Sequence, residues 1–516
     1  MGTSVLVVGA GPTGLVLGIE LARRGVPVRV VEKATAPAAG SRGDGLQPRT
    51  LEVFDDLGVL DAVLAAGIAP TPLRAYAGGR FLGEKRMGEL RDPTPDVPYP
   101  NGHFLGQDRT EAILRARFTE LGGQVEFGTV LEGFEQDASG VTATLAGPGG
   151  RETVRAAVLV GADGGASTVR RALEIPFEGR TDDSLRMLIG DVRVAGLDHT
   201  CGHMFADEHD QRRGMFLSPL PGEDLFQFAT PVEDGTDDPE RAVRAAFAEF
   251  CHLPGVAVRE VAWSTVWRPN VRLARRYRVG RAFLAGDAAH AHPPTGGQGL
   301  NTGVQDAYNL GWKLAAALSA GPGPDAEALL DSYEAERRPV AEHVLGLSEE
   351  LLRRTVEGAD DALERGPETQ QLDIGYRGSP IVRDERARPG RLHAGDRAPD
   401  GPVLDADGRR VRLHDLFRGP HATLLVFGDP AATVPDDARV VLPAGRTPTG
   451  TAVVDAEGHV AAAYDVPDGT AVLVRPDGYV GAIGDVAGME HTPGRNLTRV
   501  DPERPLAAAG SGASST

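Results

Sequence analysis

The segment from the N-terminus to Glu32 places the tightest constraint on how this chain folds. An apolar run that predicts a buried strand leads into the segment GAGPTG, in which Gly9, Gly11 and Gly14 have the spacing G-x-G-x-x-G. A helical pattern follows, and a second apolar strand ends at Glu32. This order of strand, glycine-rich turn, helix, strand and acid is typical of a dinucleotide-binding unit.

Each part of this unit has a mechanical role. Gly9 permits the tight turn, Gly11 lets the backbone approach a diphosphate, and Gly14 lets the helix pack on the strand. Glu32 is placed to accept hydrogen bonds from a ribose. The alternative is a glycine-rich turn that binds no ligand, and the complete context around the motif disfavours it.

A second glycine-rich segment, GDAAHAHPPTGGQGLN, occupies residues 286–301. An apolar run at residues 281–285 precedes it, and apolar residues at helical spacing run from Leu300 to residue 318. The start of such a helix offers free N–H groups and a partial positive charge to a ligand. A flat, electron-rich ligand with a negative edge, such as a reduced flavin, fits this arrangement. The alternative is a tight connection between a strand and a helix.

Several polar residues lie where the same crevice is expected. Asp163 and Gly164 follow another buried strand, and ligands bind at such carboxyl ends of parallel strands. Arg42, in a loop rich in glycine and serine, is suited to clamp a phosphate or is a solvated loop residue. Gln107, at the start of a predicted helix, bonds a cofactor hydroxyl or caps that helix.

The composition limits the classes of partner. The chain has 516 residues, a net charge of -19 and a pI near 5.2, which argues against nucleic acids and anionic membranes as partners. No apolar run approaches the roughly 18 residues of a membrane span, and a predicted strand begins shortly after the N-terminus, so no signal peptide is expected. With only two cysteines, Cys201 and Cys251, we expect a reducing, cytoplasmic location.

Residues 187–267 alternate between apolar and polar residues, which predicts an antiparallel sheet with one face packed and one face free to line a pocket. Its large side chains include Met215, Phe228 and Trp263, which are candidates for the pocket wall, although most such residues belong to the core. A group of one cysteine between two histidines, residues 199–203, lacks a further ligand nearby, so no metal site is predicted.

We expect three folded units, joined in part by a linker that is dense in Arg, Asp, Gly and Pro. The predicted boundaries are a discontinuous nucleotide-binding domain at 1–70, 102–180 and 270–355, a sheet domain at 71–101 and 181–269, a linker at 356–399, a third domain at 400–506 and a disordered tail at 507–516.

The three ordered motifs at 9–14, 161–164 and 286–301, together with YEAERRPVAEHV at 333–344, resemble the class A flavoprotein aromatic hydroxylases, the p-hydroxybenzoate-hydroxylase-like fold. The C-terminal strings LLVFG and LVRPDGYVG resemble the thioredoxin-like appendage of the subgroup that acts on aromatic polyketides in actinobacterial antibiotic pathways. The resemblance implies an α/β fold with a Rossmann-like FAD-binding domain, an inserted antiparallel-sheet substrate domain and a thioredoxin-like C-terminal domain. The expected Cys-x-x-Cys is replaced by GDPAA at 428–432, so dithiol chemistry is not expected.

The resemblance also implies roles for individual residues. FAD would be held at its ADP, ribitol and diphosphate parts by Thr13, Gly14, Glu32, Lys33, Arg42 and Gln107. Its ribityl chain would bond Asp287, which follows Gly286, and its pyrimidine edge would meet the backbone of Gly299, Leu300 and Asn301. Asp163 and Gly164 would serve the nucleotide site and, transiently, NADH or NADPH.

The implied activity is hydroxylation of a polycyclic phenolic substrate through a flavin C4a-hydroperoxide, at the expense of NAD(P)H and O2. His290 and His292 are candidates for a proton relay or for ordering the loop, and Pro293 and Pro294 for shaping the pocket. Baeyer–Villiger oxidation, antibiotic inactivation and a non-catalytic, flavin-bound polyketide-binding protein stay open as alternatives, whereas a flavin-free dehydrogenase is disfavoured by the second and third motifs. The expected oligomeric state is a monomer or a homodimer.

Overall fold

The structure, a computed structural model, describes residues 3–41, 43–182, 185–210, 213–233, 238–293, 295–357, 364–428 and 434–489. Within these ranges lie eleven α-helices: α1 (Pro12–Ala22), α2 (Pro48–Asp56), α3 (Leu60–Ala66), α4 (Gln107–Glu120), α5 (Thr168–Ala172), α6 (Pro239–Phe250), α7 (Gly299–Ala320), α8 (Pro324–Glu357), α9 (Leu413–Phe417), α10 (His459–Tyr464) and α11 (Val486–Met489). Arg42, Pro294, most of the GDPAA segment and the predicted tail lie outside the described residues.

The first layer is a mostly parallel sheet, called here the core sheet, in the described part of the chain. Its strands, in spatial order, are Arg278–Val279, Ala282–Leu284, Val158–Gly161, Val5–Val8, Val28–Glu32 and Val125–Phe127. The three strands that carry the sequence motifs run parallel, so their carboxyl ends meet at one edge. This edge brings the glycine turn, Asp163 and the 286–301 loop to the same crevice.

Smaller sheets extend this layer. Three antiparallel strands form one of them. In the described residues these small sheets contain Val130–Asp137, Gly140–Gly147 and Gly150–Ala156; Phe177–Thr181, Asn270–Ala274 and His290–Ala291; and Gly45–Leu46 with His103–Phe104.

A second sheet, called here the antiparallel sheet, lies beside the first. Its described strands, in spatial order, are Ala257–Trp267, Met187–Ala195, Phe226–Pro231, Gly214–Pro219, Gly202–Ala206, Leu73–Ala77 and Arg80–Lys85. Helix α6, which was not predicted, packs its apolar side on one face of this sheet. The polar and aromatic side chains of Asp191, Gln227 and Trp263 share the opposite face, which is turned toward the loop at residues 40–41.

The prediction that Met215 and Phe228 line the pocket is wrong, because both side chains lie on the α6 face. They are 2% and 0% exposed and belong to one apolar cluster with helix residues. The ring of Phe228 stacks on that of Phe247 of α6 at a centroid distance of 5.7 Å. Alternation along a strand shows which residues share a face, but it does not show which face is covered.

The third layer, the C-terminal sheet, has apolar clusters on both sides. Its described strands, in spatial order, are Arg383–Asp384, Val480–Asp485, Thr470–Val474, Thr423–Phe427, Arg439–Pro443, Val453–Asp455, Pro402–Leu404 and Arg410–Arg412. Its strand Thr423–Phe427 is fully buried. The domain boundaries given above stay predictions.

The described residues contain neither a candidate membrane span nor a candidate metal site. None of their helices combines the length and apolarity needed to cross a membrane. Nor do they contain a group of three or more His, Cys, Asp or Glu side chains placed to hold a metal ion. His203 instead bonds the backbone carbonyl of Asp198 through Nε2, at 2.9 Å.

Candidate active site

The glycine turn after the first strand leaves room for a ligand at one position only. Gly9 has a φ of 106°, and a Cβ there would collide with the carbonyl of Ala162, while a Cβ on Gly14 would collide with the carbonyl of Gly9. At Gly11, in contrast, no described atom lies within 4 Å of an added Cβ. Gly11 is also the N-cap of α1, and no described side chain caps that helix. A diphosphate can therefore approach the backbone here.

Glu32 stands at the end of the second strand, as the spacing predicts. Its carboxylate accepts hydrogen bonds from the N–H groups of Ala10 and Ala34, both at 2.9 Å. These two bonds fix the carboxylate beside the glycine turn, where a ribose would lie next to a diphosphate. The neighbouring Lys33 is exposed.

Thr13 joins the first and third motifs. Its Oγ1 lies 2.5 Å from where a Cβ on Gly286 would stand, and it also closely approaches Gly303 of α7. The structure therefore brings the 9–14 turn against the 286–301 loop, although the two are far apart in sequence.

The carboxylate of Asp163 caps the start of helix α5. Its Oδ2 accepts the N–H groups of Thr168 and Val169, at 2.6 and 3.2 Å, at the start of α5. Its Oδ1 is buried and has no partner among the described residues. Gly164, with a φ of 80°, borders open space. This pair is compatible with the predicted nucleotide contact, which stays a prediction.

A buried network of hydrogen bonds orders residues 286–292. Asp306 of α7 accepts the N–H of Gly286 at 3.0 Å, lies 2.7 Å from Nε2 of His290, and pairs with Nε of Arg337 at 2.7 Å. His290 Nδ1 in turn lies 2.7 Å from Nε2 of His292. Asp287, between these anchors, is exposed at the crevice.

Burial and nearby charged side chains together shift the pKa values of Asp306 and His292 in this network. Burial by itself would raise the pKa of Asp306, but His290 and Arg337 hold that pKa below its ordinary value. Burial, aided by His290, puts the pKa of His292 well below its ordinary value, so His292 is neutral. His290 and His292 therefore belong to one network that fixes the loop. Their predicted role in proton transfer stays a prediction, as does the role of Pro293, which is buried.

The start of α7 is left open. Gln298 is the N-cap and makes no capping hydrogen bond through its side chain. A Cβ on Gly299 would meet only His292, at 3.8 Å or more, among the described atoms. Asn301 is fully buried, and its side chain bonds Gln47, Gly45 and Gly297 at 2.6 to 2.9 Å. The side chain of Asn301 thus orders the surrounding loops, and the first N–H groups of the helix stay available to a ligand.

Gln107 lies beside Gly43, and Trp263 lies beside Gly40. The side chain of Gln107 donates to Glu111 at 2.8 Å, and its N–H donates to the carbonyl of Gly43. Trp263 packs against Gly40, where an added Cβ would lie 2.9 Å from the ring. Both predicted contacts, with FAD and with substrate respectively, remain predictions.

Sequence reasoning missed Asp191. This buried residue of the antiparallel sheet accepts the N–H of Ser41 at 2.6 Å, and Gln227 donates to the carbonyl of Ser41 at 3.0 Å. The two bonds fasten Ser41 to the sheet. The sequence contains a signal for this contact. A charged Asp within the apolar run LIGDV costs folding free energy unless its carboxylate is hydrogen-bonded.

Comparison with known proteins identifies the family. Residues 2–348 match the family described as FAD binding domain. The chain belongs to this family of FAD-dependent monooxygenases. Residues 392–500 match the family described as aromatic-ring hydroxylase, C-terminal. The predictions of an α/β class A hydroxylase fold, an FAD cofactor and a monooxygenase activity are therefore confirmed.

Similar proteins cover nearly the whole chain. A flavin-dependent monooxygenase of Mycobacteroides abscessus is 43% identical, over 93% of this chain and 97% of its own length. The 12-dehydrotetracycline 5-monooxygenase/anhydrotetracycline 6-monooxygenase of Streptomyces rimosus is 36% identical, over 92% and 94%. A rifampicin monooxygenase of Streptomyces venezuelae is 39% identical, over 66% and 69%. Aklavinone-11 hydroxylase, solved with FAD and aklavinone, has a TM-score of 0.80 and 30% identity, over 96% and 99%.

Proposed function

We propose that this monooxygenase hydroxylates a polycyclic phenolic substrate of the aromatic polyketide type, with NADH or NADPH as reductant and O2 as oxidant. The observation that carries the proposal is the uncapped start of α7, which opens beside Gly299 onto the crevice shared by all three motifs. The tetracycline monooxygenase and the aklavinone complex support a substrate of this class.

The residues present fit FAD. The open position at Gly11, with Thr13 and Gly14 at the start of α1, suits a diphosphate, and Glu32 suits a ribose. Lys33, Arg42 and Gln107 complete this proposed set. Asp287 would bond the ribityl chain, and the backbone of Gly299, Leu300 and Asn301 would meet the pyrimidine edge, while Asp163 and Gly164 would serve the nucleotide part.

When FAD is bound and reduced, it supplies the activation of O2. The protein supplies the environment of the FAD and of the substrate. The positive end of α7 stabilises negative charge at the pyrimidine edge. The face of the antiparallel sheet that carries Trp263 would border the substrate, while its other face is closed by α6 and excludes water. In this proposal His290 and His292 hold a proton at fixed nitrogen atoms, and Pro293 and Pro294 border the pocket.

The test uses purified protein. We expect it to be yellow, to retain FAD through gel filtration, and to consume NAD(P)H and O2 faster when a polycyclic phenol is added. The product should contain one oxygen atom from 18O2. A colourless protein that does not respond to FAD would contradict the proposal, and a yellow protein that binds the phenol without faster NAD(P)H consumption would favour a binding protein instead.

A variant at the glycine turn sharpens this test. Gly11→Leu places a side chain in the open space proposed for the diphosphate, and the backbone at Gly11 (φ -69°) tolerates any residue. We expect FAD to bind about 100-fold more weakly, as measured by flavin fluorescence, with no loss of thermal stability of the apoprotein. Gly133→Leu is the matched control, since its Cβ also meets no described atom within 4 Å but stands in the strand Val130–Asp137, outside the three motifs; this variant should bind FAD normally.

The rifampicin monooxygenase supports a second candidate, oxygenation of a finished antibiotic. The two candidates differ in substrate and product. Stimulation of NAD(P)H consumption by rifampicin, but not by polycyclic phenols, would favour the second. Structure determination of the product by NMR separates ring hydroxylation from Baeyer–Villiger insertion, because both add one oxygen atom.

A further inference from the structure

Gln371 lies in the segment that the sequence marks as a linker, outside both matched family segments. Nevertheless it is 2% exposed. Its φ of 60° is in the left-handed region, which a residue other than glycine occupies at an energetic cost. A strained and buried residue in a connecting segment requires a compensating contact, and the contact is with the start of α7.

Both the nitrogen and the oxygen of the Gln371 side-chain amide form hydrogen bonds. Its Nε2 donates to Oε1 of Gln298 at 2.7 Å and, at 3.3 Å, to Oγ1 of Thr302. Its Oε1 accepts from Nε2 of Gln305 at 2.6 Å. All three partners lie in the first turns of α7 or at its N-cap, and all are buried.

These contacts fix the orientation of the Gln298 side chain. Its Nε2 donates to the carbonyls of Gly296 and Thr369, at 2.7 and 3.1 Å, and its Oε1 accepts from Gln371. The amide oxygen of an N-cap residue is otherwise a candidate acceptor for the first N–H groups of its helix. Here it is turned away from them, and α7 begins without a side-chain cap.

We propose that Gln371 is a positioning residue of the flavin site, which holds the side chain of Gln298 away from the N–H groups at the start of α7. This inference rests on the proposed function, because those N–H groups are the ones assigned to the pyrimidine edge of FAD. Without Gln371, the amide oxygen of Gln298 competes with the flavin for the same donors. The reduced, negatively charged flavin loses more by this competition than the oxidised form.

The experiment compares two neighbouring glutamines. Gln371→Gly removes the side chain and also relieves the left-handed backbone, and Gln371→Met keeps the length of the side chain without its hydrogen bonds. For both variants we expect an FAD dissociation constant about tenfold higher and a more negative midpoint potential of the bound flavin. Gln370→Ala is the matched control: Gln370 donates to Pro100 instead, at 2.9 Å, and its loss should leave both quantities unchanged.

A second substitution isolates the mechanism. Adding Gln298→Ala to Gln371→Gly removes the competing amide oxygen, so FAD affinity and the potential should recover part of their loss. Wild-type affinity and potential in both Gln371 variants would overturn the inference, and so would the absence of any recovery in the double variant. Failure of the wild-type protein to bind FAD would instead contradict the proposed function.

Discussion

The carboxyl group of Asp191 is buried between the antiparallel sheet and the loop at residues 40–41. Burial raises its pKa to about 7; the N–H of Ser41 opposes the rise, and the carboxyl groups of Asp108, Glu223 and Asp44 add to it. Its Oδ2 accepts the N–H of Ser41, whereas its Oδ1 is buried and has no hydrogen-bond partner among the described residues. The charged form of this residue is therefore a cost to the folded state.

The first prediction concerns this cost. Because the pKa of Asp191 is higher in the folded chain than the unfolded value of about 3.9, the destabilisation is absent below pH 4, grows as the pH rises, and is complete above pH 7. Asp191→Asn keeps an acceptor for Ser41 and removes the charge. Its gain in unfolding free energy should be about 2 kcal/mol larger at pH 8 than at pH 5, as measured by urea unfolding. The exposed Asp61→Asn should show equal effects at both pH values.

At the scale of elements, the close approach of α1 and α7 sets the geometry of the crevice. A Cβ on Gly311 of α7 would lie 2.5 Å from Cβ of Glu20 of α1, and a Cβ on Gly303 would collide with Thr13. The glycines thus allow α7 to lie against α1, which brings the N-terminus of α7 next to the glycine turn at residues 9–14. A glycine inside a helix that makes no such close contact only lowers the stability of the helix.

The second prediction compares two helical glycines. Gly311→Ala forces the two helices apart and should lower the unfolding free energy by about 2 kcal/mol. Gly346→Ala in α8, where no described atom lies within 4 Å of the new Cβ, should raise it by about 0.5 to 1 kcal/mol. Urea unfolding of both variants measures the difference. Similar effects of the two substitutions would contradict the account of close packing.

Elements with strong local patterns were predictable. The apolar spacing placed α7 at 300–318, and the helix spans Gly299–Ala320. Helix α6 was missed, although Asp238 and Pro239 are typical of a helix start. The wrong face for Met215 and Phe228 follows from that omission. Asp191 and Gln371 were not predicted, because their partners are distant in sequence and only the folded chain brings them together.

At the scale of the whole molecule, a buried charge cluster joins the C-terminal sheet to α7 and α8. Glu336 of α8 pairs with Lys313 of α7 at 2.6 Å and with Arg475 at 2.7 Å, and Arg475 also bonds Asp477 at 2.9 Å. Asn309 donates to both acids. Burial lowers the pKa of Lys313 to about 8, against the pull of Glu336. Such a cluster specifies one docking geometry, because each charge needs its partners.

The third prediction removes one cation from this cluster. Arg475→Met leaves Glu336 and Asp477 without part of their compensation and should lower the unfolding free energy by about 3 to 5 kcal/mol. Arg410→Met, at an exposed ion pair with Glu457, should change it by less than about 0.5 kcal/mol. Thermal unfolding followed by both flavin fluorescence and circular dichroism is the measurement. An Arg475 variant as stable as the Arg410 variant would show that the cluster does not hold the domains together.

The order of these contacts along the chain has a consequence for biosynthesis. The glycine turn is translated before Gln371, which bonds the N-cap of α7, and before Arg475, which pairs with Glu336 of α8. A nascent chain that has reached only the end of the family-defining segment 2–348 therefore carries an unfinished crevice. We therefore expect FAD to load only after the segment that contains Gln371 and Arg475 has been synthesised.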